Sequence, residues 1–271
     1  MIILNATGQT CNKMFIYSNY FAESMESGEK IVILSPDITI KDYPNLQNSG
    51  IIRFPFYSSR IAKLFGYKNY INGLRNILGN KYSLKLFALS FKLVPSVNFI
   101  NAPIGAFKSS NRLKHRGALK NIFTPDSKIT GEVESVFNKA KETHDLVCGV
   151  HIRRGDYREW LDGKYFYTDE QYHSLMLNFK KIFPDRSVAF FLSSNERIDL
   201  SAFPECDCFS VPNGSATKDL HGLSISDYIF GPPSTFTGWA SFYGETPLCY
   251  IEKPEEELSL SSFRNILEIW N

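Results

Sequence analysis

The densest chemistry in the chain lies at residues 147–157, Val-Cys-Gly-Val-His-Ile-Arg-Arg-Gly-Asp-Tyr. His151, Arg153, Arg154 and Asp156 arrive together, directly after the apolar run Val147–Val150. A short run with β-branched content reads as a buried strand. Ligands of open α/β sheets bind just beyond the carboxyl ends of the strands. A guanidinium there forks onto phosphate oxygens with directed bonds, whereas a lysine offers a point charge. Arg153 and Arg154 are therefore placed to grip a diphosphate. The competing reading, a pair of surface ion pairs, fits less well with arginines that follow a buried strand.

Two further stretches end strands in the same way. Gly231-Pro232-Pro233-Ser234-Thr235-Phe236 opens a helix with Ser234 as a natural N-cap. A helix start presents unsatisfied amides and a positive dipole end, which suits phosphate, and the Ser234 and Thr235 hydroxyls could add bonds. It would equally serve as an ordinary capped helix. Asp219, near a helix start, either complements the helix dipole or accepts the two N–H groups on guanine's Watson–Crick edge. Phe191–Glu196 again runs from strand to polar residues, as a site edge or as a plain turn. In the first half, Gly8 and the neighbouring loop amides would let a ligand approach the backbone. A single glycine there is not a dinucleotide fingerprint.

No metal is called for. No Asp-x-Asp pair follows a strand, and the five histidines are scattered. Diphosphate charge would then fall to arginine and helix amides. The five cysteines are odd in number, and several sit in apolar runs. Core thiols in a reducing cytoplasm fit better than disulfides. Cys206-Asp207-Cys208 has no second ligand pair for zinc and reads as alternating strand positions.

The elements that position these residues alternate. Met1–Leu4 is a strand, Ala6–Cys11 a loop and Asn12–Met25 a helix with Met14, Phe15, Tyr17, Tyr20, Phe21 and Met25 as its stripe: a Rossmann-like opening. Lys30–Leu34 and Ile51–Phe56 are strands; Ile61–Leu78 and Ser83–Leu93 are helical. Lys108, Arg112, Lys114, His115, Arg116 and Lys120 form a loose basic stretch, either a solvated face or a contact surface for an acceptor or an anionic membrane. Gly131–Lys141, Thr168–Phe183, Ala216–Ser224 and Ser234–Tyr243 are helices between strands at 147–152, Val188–Leu192, Cys206–Val211, Tyr228–Phe230 and Leu248–Ile251. Such alternation implies an α/β chain with parallel sheets, divided near residue 130. Leu258–Trp270 has the spacing of an amphipathic helix, with Leu260, Phe263, Ile266, Leu267 and Trp270 on one face.

The 271 residues carry a net charge of +2, too balanced to hold nucleic acid by bulk electrostatics. With 14% aromatic content the chain expects a large core. The start lacks a signal-peptide pattern, and no apolar run approaches the roughly 20 residues of a membrane span. The expectation is a soluble protein able to work at a membrane surface.

Together these residues resemble the fucosyltransferases that use GDP-fucose, most closely the bacterial α-1,2-fucosyltransferase family. That family opens with a Gly-rich loop ending in Asn-Gln-Met-Phe; here the stretch is Gly8-Gln9-Thr10-Cys11-Asn12-Lys13-Met14-Phe15. Its His-x-Arg-Arg-x-Asp-Tyr motif stands complete as His151–Tyr157, and its Ser-Thr-Phe motif as Ser234-Thr235-Phe236, with Trp239 just after. Three residues or stretches depart from the pattern: Lys13 for Gln, Cys11 for Gly, and Ser193-Ser194-Asn195 for Ser-Asp-Asp.

The resemblance implies a GT-B-like fold of two Rossmann-like domains facing across a cleft. Residues 1–130 would meet the acceptor. Residues 131–271 would hold the GDP-sugar, with the terminal helix packing back on the first domain. It implies an inverting, metal-independent transfer of fucose to a glycan hydroxyl, in α-1,2 linkage, without a cofactor. Arg153 and Asn12 would be catalytic. His151, Arg153, Arg154, Asp156, Asp219, Ser234, Thr235, Phe236, Gly8 and Gln9 would bind the GDP-sugar. The partners implied are a GDP-sugar and a glycan or lipid-linked glycan, with peripheral membrane contact at the cytoplasmic face and a role in polysaccharide assembly. A transferase of another GDP-sugar, such as GDP-mannose, and a non-catalytic GDP-sugar or glycan-binding protein remain as alternatives.

Overall fold

A computed structural model describes residues 2–6, 8–33, 42–48, 52–53, 98–102 and 110–266. The helices expected at Ile61–Leu78 and Ser83–Leu93 lie outside these residues, as do Lys108, Leu267, Trp270 and most of the strand expected at Ile51–Phe56. The chain divides into two units, Met1–Asp126 and Ser127–Asn271.

In the first unit, strands β1 (Ile2–Ala6), β2 (Ile31–Ile33), β3 (Ile52–Arg53) and β4 (Asn98–Ala102) form a parallel sheet in the order β3-β2-β1-β4. Helix α1 (Thr10–Ser27) joins β1 to β2 and ends at Gly28, whose φ of 72° closes the last turn on the Ser24 carbonyl. The expected stripe understates its burial, because Ile16, Ser18, Asn19 and Ser24 are also covered. Among the described residues, three short helices follow: α2 (Pro44–Asn48), α3 (Ser110–Lys114) and α4 (Arg116–Ile122).

The basic stretch is only partly a solvated face. Arg112 is buried with its guanidinium 5.2 Å from the Phe15 ring centre, and burial lowers its pKa to about 10. Lys114 pairs with Glu26 at 2.7 Å, and His115 meets the same carboxylate. These side chains fasten α3 and the start of α4 to α1.

In the second unit, α5 (Ser127–Lys141) leads into β5 (Leu146–Ile152), whose seven positions are all buried. Then come two 3-10 turns (Gly155–Arg158 and Trp160–Gly163), α6 (Asp169–Ile182), β6 (Val188–Ser194), a 3-10 turn (Leu200–Ala202) and β7 (Asp207–Phe209). Next are α7 (Ala216–Ser224), β8 (Tyr228–Gly231), α8 (Thr235–Gly244) and β9 (Leu248–Tyr250). All five strands are parallel, in the order β7-β6-β5-β8-β9. The chain steps outward from β5 through β6 to β7, then returns to the other side of β5 as β8. The β5–β8 junction is thus the topological switch point, where open α/β sheets bind ligands.

Helix α6 begins with a capping box between Thr168 and Gln171. It buries Tyr172, Leu175, Met176 and Phe179 at helical spacing. Phe179 meets Phe190, Phe230, Tyr228 and Phe263 with ring centres 5.4–6.2 Å apart. Helix α7 lies close on the opposite face of the sheet, since a Cβ at Gly222 would come within 2.5 Å of the Phe191 ring.

The terminal segment corrects an expectation. Residues 258–265 do not form an amphipathic helix. Leu260–Ser262 is a 3-10 turn, and Arg264 then bridges antiparallel to Leu248. Leu258 and Phe263 are buried in the core of the second unit, and Leu260, expected on the same apolar face, is exposed. Sheet-edge pairing by the backbone prevails here over helical periodicity. Among the described residues no helix is long and apolar enough to cross a membrane.

Candidate functional site

The carboxyl edge of the second sheet gathers most of the residues singled out by type and spacing. His151 and Ser193 are register partners near the ends of β5 and β6. Ser234 caps α8, its hydroxyl accepting from the Phe236 amide at 3.1 Å. The turn before it is fastened on two sides. Tyr157 donates its hydroxyl to the Pro233 carbonyl at 2.7 Å, and Tyr250 donates to the Ser234 carbonyl at 3.2 Å. Gly231 is required because a Cβ there would lie 2.7 Å from the His151 carbonyl oxygen. The α8 N-terminus is thereby fixed beside the end of β5.

Arg153 stands at that end. Its guanidinium pairs with Asp156 at 2.8 Å and lies 5.3 Å from the Tyr157 ring centre, while its amide donates to the Tyr172 hydroxyl at 3.3 Å. Asp156 is exposed, so an anionic ligand can compete for Arg153 without opening the core. Arg154 is engaged differently. Its guanidinium pairs with Asp169 in the first turn of α6, its amide donates to the Asn195 side chain at 2.9 Å, and the Asn195 amide donates back to its carbonyl at 3.2 Å. Gly155 takes a φ of 59° in this turn.

Behind the arginines lies a buried polar chain. His151 is buried and stacks on Phe236, with ring centres 4.9 Å apart and planes at 15°. Its Nδ1 lies 3.5 Å from the Ser193 hydroxyl, which donates to Asp219 at 3.2 Å. Its Nε2 is buried without a partner among the described residues, as it would be where a ligand group completes the site. Burial, then the charge of Arg153, lowers the His151 pKa to about 3, so the ring is neutral. Burial raises the Asp219 pKa to about 7, against the opposing bonds from Ser193 and the Ser194 amide.

Ser193 and Tyr157 are the residues that sequence reasoning underweighted. Ser193 was visible only as one polar residue ending a strand. Its contact with Asp219 spans 26 positions and has no local signal. Asp169, in the first turn of α6, holds Arg154.

Gly8, Gln9 and Asn12 lie in the first unit. Gly8 adopts a φ of 96°, Gln9 is extended and precedes α1 without a side-chain cap bond, and Asn12 sits half-buried in its first turn. Among the described residues, no group of three or more His, Cys, Asp or Glu side chains could hold a metal ion.

No family model matches the chain, and no curated protein does. Solved structures do. POFUT1 in complex with GDP-fucose is 10% identical, with a TM-score of 0.59 over 95% of this chain and 96% of that one. The fucosyltransferase NodZ from Bradyrhizobium is 14% identical, with a TM-score of 0.54 over 94% and 96%. A mutant of Arabidopsis thaliana FUT1 in complex with GDP is 9% identical, with a TM-score of 0.56 over 94% of this chain and 71% of that one. The chain has the α/β, GT-B-type fold of these proteins.

Proposed function

We propose that the chain is a glycosyltransferase that moves fucose from GDP-fucose to a hydroxyl of a glycan acceptor. The observation that carries this reading is the placement of Arg153 beside the fixed N-terminus of α8, at the switch point between β5 and β8. The likeness to fucosyltransferases solved with GDP and GDP-fucose supports it.

In this reading the diphosphate lies between the Arg153 guanidinium and the first amides of α8. The acceptor oxygen attacks the anomeric carbon, giving up its proton to water or to the departing phosphate, as the bond from that carbon to the β-phosphate oxygen breaks and GDP leaves with the electron pair. Arg153 and the α8 dipole balance the charge that builds on the leaving phosphate. The ionised Asp219 accepts the two N–H groups of guanine, positioned by Ser193. His151 Nε2 completes its bonding with the nucleotide. Arg154 holds the loop that carries Arg153. Asn12, by the resemblance, serves the transferred sugar or the acceptor. The finer reading is inverting and metal-independent, in α-1,2 linkage, within polysaccharide assembly at the cytoplasmic face of a membrane.

Calorimetric titration of the wild type and Arg153→Ala with GDP, GDP-fucose, GDP-mannose and UDP tests this. The expected result is binding of GDP-fucose, none of UDP, and most affinity lost in the variant. Tighter binding of GDP-mannose would reassign the donor. Binding without GDP release in the presence of glycan acceptors would leave a binding protein. No binding of any GDP compound would remove the reading.

A further inference from the structure

Between the Arg153 motif and α6, five consecutive residues are exposed: Arg158, Glu159, Trp160, Leu161 and Asp162. Trp160 is 44% exposed and Leu161 56% exposed. Adjacent large apolar groups rimmed by polar ones mark contact sites.

Trp160 is held in place rather than left as a loose tip. Its indole packs on Tyr157 with ring centres 4.7 Å apart, and on Tyr165 at 5.6 Å. Both tyrosines are tied to the carboxyl edge of the sheet. Tyr157 donates to the Pro233 carbonyl before α8, and Tyr165 donates to Glu252 after β9, each at 2.7 Å. Arg153 lies 5.3 Å from the Tyr157 ring centre. One ring therefore separates Trp160 from the guanidinium assigned to the leaving diphosphate. Leu161 and Asp162, with φ of 50° and 54°, turn the chain immediately after the indole.

The flanking charges select the occupant. Two exposed cations flank the turn and are already engaged: Arg158 lies over the Phe166 ring at 4.6 Å, and Lys164 donates to the Tyr165 hydroxyl at 2.9 Å and pairs with Glu252 at 3.6 Å. Glu159 and Asp162 have no side-chain hydrogen bond or ion pair among the described residues. The surface is thus an apolar ring between two available carboxylates. An anionic lipid surface gains nothing from those carboxylates. A pyranose suits them, since its C–H face covers an indole while adjacent hydroxyls donate to carboxylate oxygens.

We propose that Trp160, with Glu159 and Asp162, is the platform for a pyranose ring of the acceptor glycan. This rests on the donor reading above and places the acceptor beside the leaving diphosphate.

The test uses the full chain in the presence of GDP, with methyl β-galactopyranoside, methyl N-acetyl-β-glucosaminide and lactose as probes, read by saturation-transfer NMR. GDP-fucose affinity and acceptor-independent hydrolysis of GDP-fucose are measured alongside. The expected result is that Trp160→Ala weakens glycoside binding by about tenfold or more, leaves GDP-fucose affinity and hydrolysis unchanged, and is rescued by Trp160→Tyr. Wild type that binds GDP-fucose but none of the glycosides overturns the proposal. So does Trp160→Ala that binds them as well as wild type. Loss of phosphatidylglycerol-vesicle binding in Trp160→Ala with glycosides unaffected also overturns it and makes the surface a lipid contact. Glycoside binding through Trp160 without GDP-fucose binding keeps the platform and removes the donor reading.

Discussion

The two units each place a strand-turn-helix at the carboxyl edge of a parallel sheet, and the two turns are built differently. In the first unit, β1 passes through Gly8 and an extended Gln9 into α1, with no side-chain cap bond. In the second, β8 passes through Pro232 and Pro233 to Ser234, which caps α8, and two tyrosine hydroxyls pin the carbonyls of Pro233 and Ser234. Arg153 stands on the adjacent strand end. The difference is that the second turn holds its helix N-terminus through side chains from two other elements, with a guanidinium next to it, which is the arrangement the proposed diphosphate site needs.

The largest expected effect separates the two arginines of the second turn. One charge-assisted bond contributes about 1.5–3 kcal/mol, so Arg153→Ala should weaken GDP-fucose binding by roughly ten- to a hundredfold. Arg154→Ala should lower stability while leaving donor affinity within about threefold, because its guanidinium is committed to Asp169. Calorimetry and thermal unfolding of both variants check this, and equal losses of affinity would return Arg154 to the ligand.

A second test uses pH. With its pKa raised to about 7, Asp219 must lose a proton to accept both guanine N–H groups. Affinity for GDP-fucose, whose diphosphate does not titrate near neutrality, should fall about tenfold between pH 8 and pH 6. Asp219→Asn should abolish that slope. In the free protein the sign reverses for stability. A raised folded pKa favours the protonated form, so the Asp219 contribution is fully present below about pH 4 and is lost as pH rises through 7. His151 opposes it, because its lowered folded pKa costs stability as pH falls below 6.5.

The turns themselves can be compared by removing their caps. Ser234→Ala should cost about 1 kcal/mol in chemical denaturation. Gln9→Ala, where no side-chain cap bond exists, should cost less than about 0.5 kcal/mol. Equal costs would show that the second turn is not the more tightly held. An effect of similar size is expected at Leu161, a left-handed residue with an exposed side chain. Leu161→Gly should stabilise by less than about 1 kcal/mol, and a loss of stability instead would show that the isobutyl group packs.

Local patterns account for much of what forms. The buried strand at 147–152, the cap at Thr168 and the apolar stripe of α6 depend on burial and capping between near neighbours, which period and residue type record. Over residues 258–265 the expected helix had the right spacing but a stronger competitor, since the backbone of Arg264 bonds to Leu248. Spacing reports which side chains seek the core. It does not report whether a strand edge is available to pair with the backbone.

By itself the sequence determined that the chain is α/β, that Arg153, Ser234 and Asp219 end or follow strands of one sheet, and that the arginine motif is complete. Tertiary structure decided the division of labour among them: Arg154 drawn to Asp169, Ser193 placed between His151 and Asp219, and Trp160 lifted onto Tyr157 and Tyr165. Those pairings join residues on different elements, often far apart in the chain. Their energies depend on distance and burial, which exist only once the strands have been ordered around β5.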